Sequence, residues 1–275
     1  MDGQIFSGLK VLAVARVVAA PFAAYQLAMH GADVIHIEDP DGGDTHRRTG
    51  DLGTPFRERD LSRTFLAYNS NKRSLTLKIN GAEGQAVFRR MAARADVVIE
   101  NLKGGTMARY GIGYEDLKKI NPRIIFASVT GYGQTGPKKS DPAIDTVIQA
   151  VSGMMSITGH EAERPARVGS SISDILAGMY SAFAICAALA RRARTERGAD
   201  LDLSMLDCTV AVLENAIVRY GVTGEVPGPL GTRHPSITPF QAFRASDGPL
   251  VIAAGNDALW RALCEVLETP HLIDD

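Results

Sequence analysis

The sequence predicts an α/β fold: a Rossmann-like, mostly parallel sheet with helices on both faces, followed by the start of a second, smaller domain. Three observations carry that expectation. Short runs rich in Val and Ile alternate with helix-length segments through most of the chain. A stretch dense in Gly and Pro at 221–239 interrupts the pattern before a fresh strand and helix begin. With 275 residues and 45% hydrophobic side chains, the chain can bury a sizeable core.

Residues 9–14 read as a first strand, 21–30 as a helix stopped by Gly31, and 32–37 as a second strand. A strand at 73–77 precedes an amphipathic helix at 81–95 and a strand at 96–100; Asn121-Pro122 then punctuates the chain before a strand at 124–130. A helix near 144–152, a long uncharged helix of small residues at 175–190, a strand at 201–204 and a helix from 205 to about 220 follow. Residues 250–253 and 258–267 begin a new strand and helix. The expected organisation is a large ligand-binding domain over 1–220, a linker or lid over 221–240, and the beginning of a small domain over 241–275.

Thirty Lys plus Arg stand against 31 Asp plus Glu, so no global field draws the protein to nucleic acid or to an anionic membrane. An anionic ligand needs a local basic patch. Cys186, Cys208 and Cys264 lie far apart without metal-ligand spacing, which suits reduced thiols in a cytoplasmic protein and no metal site. The apolar stretch 11–29 is broken by Arg16, Pro21 and Gln26 and reads as neither signal peptide nor membrane span.

Two loops fall at strand ends, where open α/β sheets bind ligands. Gly131 to Pro137, with Gly133 and Gly136, forms an N–H-rich turn, although isolated glycine turns are more often plain loop geometry. Asn101, Leu102 and Lys103 follow the strand ending at Glu100, with Arg109 beyond and Lys72-Arg73 earlier; together they suit a phosphate pocket, while each charge alone suits a solvated face. Asp174 stands at the mouth of the long helix after four residues, Ser170 to Ser173, that include three serines. Either Ser173 or Asp174 caps that helix, or the ionised carboxylate does chemistry.

The motifs Gly31-Ala32-Asp33-Val34-Ile35 with Ile37-Glu38, Asn69-Ser70-Asn71-Lys72-Arg73-Ser74-Leu75, Val98-Ile99-Glu100-Asn101, Ser128-Val129-Thr130-Gly131-Tyr132-Gly133 and Asp174-Ile175-Leu176-Ala177-Gly178 occur in that order. In them the chain resembles the class III CoA-transferases, of the formyl-CoA and crotonobetainyl-CoA transferase type, which share a superfamily with α-methylacyl-CoA racemase. The resemblance implies an enzyme in which Asp174 is the nucleophile. It implies CoA lying along Val18, Leu77, Asn80, Asn101, Leu102, Lys103, Arg109 and Ile144, as substrate rather than resident cofactor. It also implies acyl-CoA and small carboxylic acids as partners, and a homodimer of interlocked chains.

The implied reaction is attack of Asp174 on an acyl-CoA to give an aspartyl anhydride. Thiolate returns to give an aspartyl-CoA thioester as the donor acid leaves, and an acceptor acid then repeats the sequence in reverse. Gly133 and Gly136 are expected to steady the oxyanion. An ordinary carboxylate is a weaker base than the expelled thiolate by about 4 to 5 pKa units, an uphill step of roughly 6 kcal/mol.

Alternatives remain at this stage. Racemases place a histidine where this chain has Ile144, which weighs against an isomerase. Asp145 is either a supporting residue beside the site or an exposed helix-start carboxylate. Some transferases carry His and Gln where Arg16 and Val18 stand, and a basic residue where Asp39 stands. Family members continue past the position of Asp275, so the sequence is expected to be an N-terminal portion, which admits a further reading as an inactive CoA-binding fragment or partner subunit. A nicotinamide dehydrogenase is disfavoured because no G-x-G-x-x-G follows the first strand.

Overall fold

The computed structural model describes residues 3–49 and 61–274. In chain order its regular elements are β1 (Lys10–Val14), α1 (Ala19–Met29), β2 (Asp33–Glu38), α2 (Arg63–Asn69), β3 (Arg73–Thr76), α3 (Ala82–Ala92), β4 (Val97–Glu100), α4 (Thr106–Arg109), α5 (Tyr114–Ile120) and β5 (Ile125–Thr130). There follow α6 (Asp145–Val151), α7 (Met154–Ile157), α8 (Ile172–Thr195), β6 (Ala199–Ser204), α9 (Met205–Val210), α10 (Glu214–Thr223), β7 (Phe240–Arg244), β8 (Pro249–Ala253) and α11 (Asp257–Val266).

Six strands form one sheet in the order β3-β2-β1-β4-β5-β6, with every pairing parallel. That order reverses direction between β1 and β4, the switch point at which doubly wound sheets open a ligand crevice. The expected Rossmann-like class is what the chain adopts.

The central strands β1, β4 and β5 are buried on both faces, so their side chains sort by alternation. Val11, Ala13, Val97, Ile99, Ile125 and Ala127 pack with α1 and α8, whereas Leu12, Val14, Val98 and Phe126 pack with Phe88 of α3 and Leu117 of α5. Helix α8 is long and apolar enough to cross a membrane by length and composition, with a mean hydropathy of 1.7. Its seating against α1, β5 and α9 reads as a core helix.

Gly178 explains how α1 and α8 come so close. A Cβ there would lie 2.8 Å from the backbone oxygen of Ala19 and 2.9 Å from the Phe22 ring. Ala19, Ala20, Ala23 and Ala24 make the facing surface of α1 equally small. The contact draws the first turn of α8 toward the loop that follows β1.

The chain divides into two compact units, 1–152 with 169–213, and 153–168 with 214–275. The sequence placed the division at 220; in the structure 153–168, including α7, also goes with the second unit. That unit holds the antiparallel pair β7-β8 with α10 and α11. The single helix expected from 205 to about 220 is broken into α9, a 3-10 turn at Ala211–Leu213 and α10. Helices α2 and α5 and strand β7 were not anticipated: each is short and lacks a clear apolar period.

Candidate active site

A cleft of about 490 Å³ opens at the carboxyl ends of β1, β4 and β5, and Asp174 lies in its wall. Val18, Asn101, Leu102, Lys103 and Ile144, all singled out from the sequence, line the same cleft. A smaller neighbour of about 200 Å³ takes Leu77 and Asn80 and shares Arg16, Leu102 and Lys103 with the first. The two are contiguous through those shared residues and run across the switch point.

Asp174 is not a cap. Helix α8 begins at Ile172, three residues earlier than the sequence suggested, which puts Asp174 in its first turn and 91% buried. Ser171 at the N-cap makes no side-chain cap bond. The free N–H of Ser173 is instead satisfied by Asp145 Oδ1 at 2.9 Å, a carboxylate 28 residues away that local capping rules do not see. Asp145 is buried rather than exposed, and its Oδ2 accepts from Gln149 Nε2 at 2.8 Å.

Burial first, and then the neighbouring Asp145, push the Asp174 carboxyl up to about 7. This corrects the expectation of a fully ionised aspartate of ordinary basicity. The residue is poised between its two forms near neutral pH.

The cleft walls are held by side chains whose bonds are already spoken for. Asn101 clamps the loop after β1, its Oδ1 accepting from the Arg16 N–H at 2.8 Å and its Nδ2 donating to the Arg16 carbonyl at 2.7 Å. Next to that clamp Val17 has φ 66°, a conformation that costs a β-branched residue on the order of 1–3 kcal/mol. Asn101 thus shapes the site through the backbone of Arg16 to Ala19.

Gly131 and Tyr132 line the cleft, while Gly133 and Gly136 do not. Gly133, at φ 81°, turns the chain so that the Gln134 N–H reaches both oxygens of Asp202 at 3.0 and 2.9 Å. The Gln134 side chain then accepts from the Gly105 N–H at 3.1 Å. The pair of loops expected from the sequence is therefore stapled together, with Gly133 serving the staple.

Other expected cations lie elsewhere. Arg109 donates to Thr106 Oγ1 at 2.9 Å and lines neither cleft. Lys72 donates to the Pro21 carbonyl and to Asn69 Oδ1, both at 2.8 Å, and burial pushes its ammonium down to about 7. Arg73 pairs with Asp33 at 2.6 Å. Lys72 and Arg73 thus brace α1 and β2, whereas Arg16 and Lys139, which the sequence reading did not assign to a phosphate pocket, line the Asp174 cleft with Lys103. Lys139 went unmarked because the loop that carries it is placed by β5 and α6, while Arg16, in the loop after β1, was noted only as a break in the apolar stretch and a departure from the family pattern.

A model of CoA-transferase family III matches residues 6–275. The chain belongs to that family. It is 42% identical to succinate–glutarate CoA-transferase of Agrobacterium fabrum over 98% of this chain and 68% of the relative. Its identity to acetyl-CoA:oxalate CoA-transferase of Acetobacter aceti is 43%, with the same shares of 98% and 68%. To human succinyl-CoA:glutarate CoA-transferase it is 39% identical, covering 98% of this chain and 60% of that one. A crystal structure of a CaiB/BaiF family protein from Brucella suis superposes with TM-score 0.87 at 39% identity, covering 100% of this chain and 72% of the other. Membership in the family makes the chain a CoA-transferase by class.

Proposed function

We propose that the protein transfers CoA between carboxylic acids, at least one of them dicarboxylic, with Asp174 as the residue that becomes acylated. The observation that carries this is a buried carboxyl, raised to about 7, in the wall of a cleft at the switch point. The preference for a dicarboxylate as one partner draws on relatives named for succinate with glutarate and for oxalate with acetyl-CoA. Arg16, Lys103 and Lys139 in the same cleft supply cations for phosphates and for a distal carboxylate.

The raised pKa bears directly on the chemistry. A carboxylate raised to about 7 is a stronger base than an ordinary aspartate and lies closer in basicity to the thiolate it expels, which eases an otherwise uphill step. The same burial excludes water from an anhydride and a thioester that both hydrolyse readily. Remote contacts along CoA then hold the thiolate for its return.

In this reading CoA runs from the smaller cleft beside Leu77 and Asn80 toward Asp174, and the protein works as a cytoplasmic homodimer. Ile144 at the cleft wall, in place of a proton-transferring side chain, favours transfer over racemisation. Incubation with succinyl-CoA and labelled glutarate, oxalate or malate, followed by chromatography of the CoA esters, tests it. Label should enter the thioester pool; a protein that retains CoA yet moves no label with any acid is a binder, and the proposal is then wrong.

A further inference from the structure

Asp145 and Gln149 form a buried polar pair beside Asp174 that the transfer chemistry does not itself use. Gln149 is fully buried, donates from Nε2 to Asp145 Oδ2 at 2.8 Å, and lies 3.4 Å from the Ser170 carbonyl. Asp145 turns its other oxygen to the Ser173 N–H. One carboxylate therefore ties the first turn of α6 to the first turn of α8, one residue from Asp174.

We propose that Asp145, locked by Gln149, is a positioning residue for Asp174: it fixes the α8 turn that presents the reacting carboxylate and keeps a negative charge beside it. This rests on Asp174 being the acylated residue. Two carboxylates in a shared low-dielectric setting repel, which holds Asp174 more basic and more nucleophilic than burial alone. Gln149 makes that arrangement durable, because its amide donates to Asp145 and keeps it a hydrogen-bond acceptor facing the helix.

The charged groups that line the cleft with Asp174 are Arg16 after β1, Lys103 after β4, and Lys139, Asp141 and Asp145 ahead of and at the start of α6. Of these, Asp145 is the neighbour whose charge raises the Asp174 carboxyl, after burial itself. Asp145 is the acid fixed by two buried hydrogen bonds, so its contribution does not relax away.

Asp145→Asn tests this: the charge is gone, the amide oxygen still accepts from Ser173, and the Gln149 amide turns so that its oxygen rather than its NH2 meets the new NH2. The readout is the titration midpoint of the Asp174 carboxyl, followed by carbon NMR on aspartate-labelled protein and assigned with Asp174→Asn. Removing the neighbouring charge should lower that midpoint by about one unit. In transfer assays the acid limb of kcat/KM should move down with it, and the plateau above pH 8 should fall about threefold for a weaker nucleophile. The variant would then be faster than the parent at pH 5.5 and slower at pH 8, a crossing that a purely structural lesion does not produce. An unchanged midpoint in folded Asp145→Asn overturns the proposal. Because the NMR titration needs no turnover, it stands even for a parent that transfers nothing, whereas absence of label exchange at every pH would count against the transferase reading alone.

Discussion

Two buried carboxylates in the first unit have opposite fates. Glu38, at the end of β2, accepts from Arg47 through both of its oxygens at 2.6 Å and from Ser74 at 2.6 Å, and takes the Asp44 N–H at 3.0 Å. Burial alone would raise its pKa, but Arg47, Ser74, the Asp44 N–H and His36 together bring it down to about 2. Asp174 has burial as well and, among the described residues, no such set of donors, with Asp145 as its charged neighbour, and stands at about 7. The same residue chemistry is surrounded by donors in one setting and short of them in the other, and the difference in pKa lies in donors rather than in depth.

The comparison breaks most decisively at Asp174. Replacing it with Asn should lower transfer by about a thousandfold or more, with CoA retention close to the parent's, as read by label exchange and equilibrium binding. Glu38→Gln should do the reverse. Removing one partner of the buried Arg47 pair should cost about 3 kcal/mol in urea denaturation, and although Glu38 lines the smaller cleft, transfer by the folded fraction should fall far less than in the Asp174 variant. A Glu38 variant as stable as the parent would show that its donors do not hold the sheet edge.

Gly178→Ala sharpens the positional half of the account. A methyl group driven against the Ala19 carbonyl should cost about 1–3 kcal/mol and lower kcat/KM by moving α8 off α1. Unaltered stability and rate would mean that the close approach is not what places Asp174.

The smallest effect is one of pH. Because the folded pKa of Asp174 is raised from 3.8 to about 7, its contribution to stability is intact below about pH 4 and is lost as pH rises through about 7. Asp174→Asn should therefore gain several degrees of Tm on the parent at pH 8, less at pH 5 and little below pH 4. Glu38 runs the other way: its folded pKa is lowered from 4.5 to about 2, so its stabilisation is present above about pH 4.5 and is lost as pH falls through about 2. Parallel pH profiles for the two variants would contradict the contrast.

Much of this was legible in the sequence. Alternating Val and Ile runs gave the strands, because a parallel sheet buried on both faces needs them, and the motif order gave the family. The position of Asp174 in a wall shared with Asn101 and Lys103 also followed. What escaped was whatever depends on distant pairing. The Asp145 to Ser173 bond spans 28 residues, so the helix start was misplaced and the raised basicity of Asp174 went unseen. Gly133 and Gly136 were assigned to the oxyanion because a glycine turn at a strand end presents N–H groups. Only the position of Asp202 on β6 shows that Gln134 takes up this loop's turn as a staple. Lys72 and Arg73 misled for a related reason: a charge in a motif does not reveal whether it faces a ligand or the carbonyls of α1.

The most direct test of the central claim is to catch the acylated protein. Incubation with an acyl-CoA at pH 8, a hydroxylamine quench and peptide mass spectrometry should find a hydroxamate on Asp174 and on no other carboxylate. Transfer that continues while the label falls on a different residue, or on none, would contradict it.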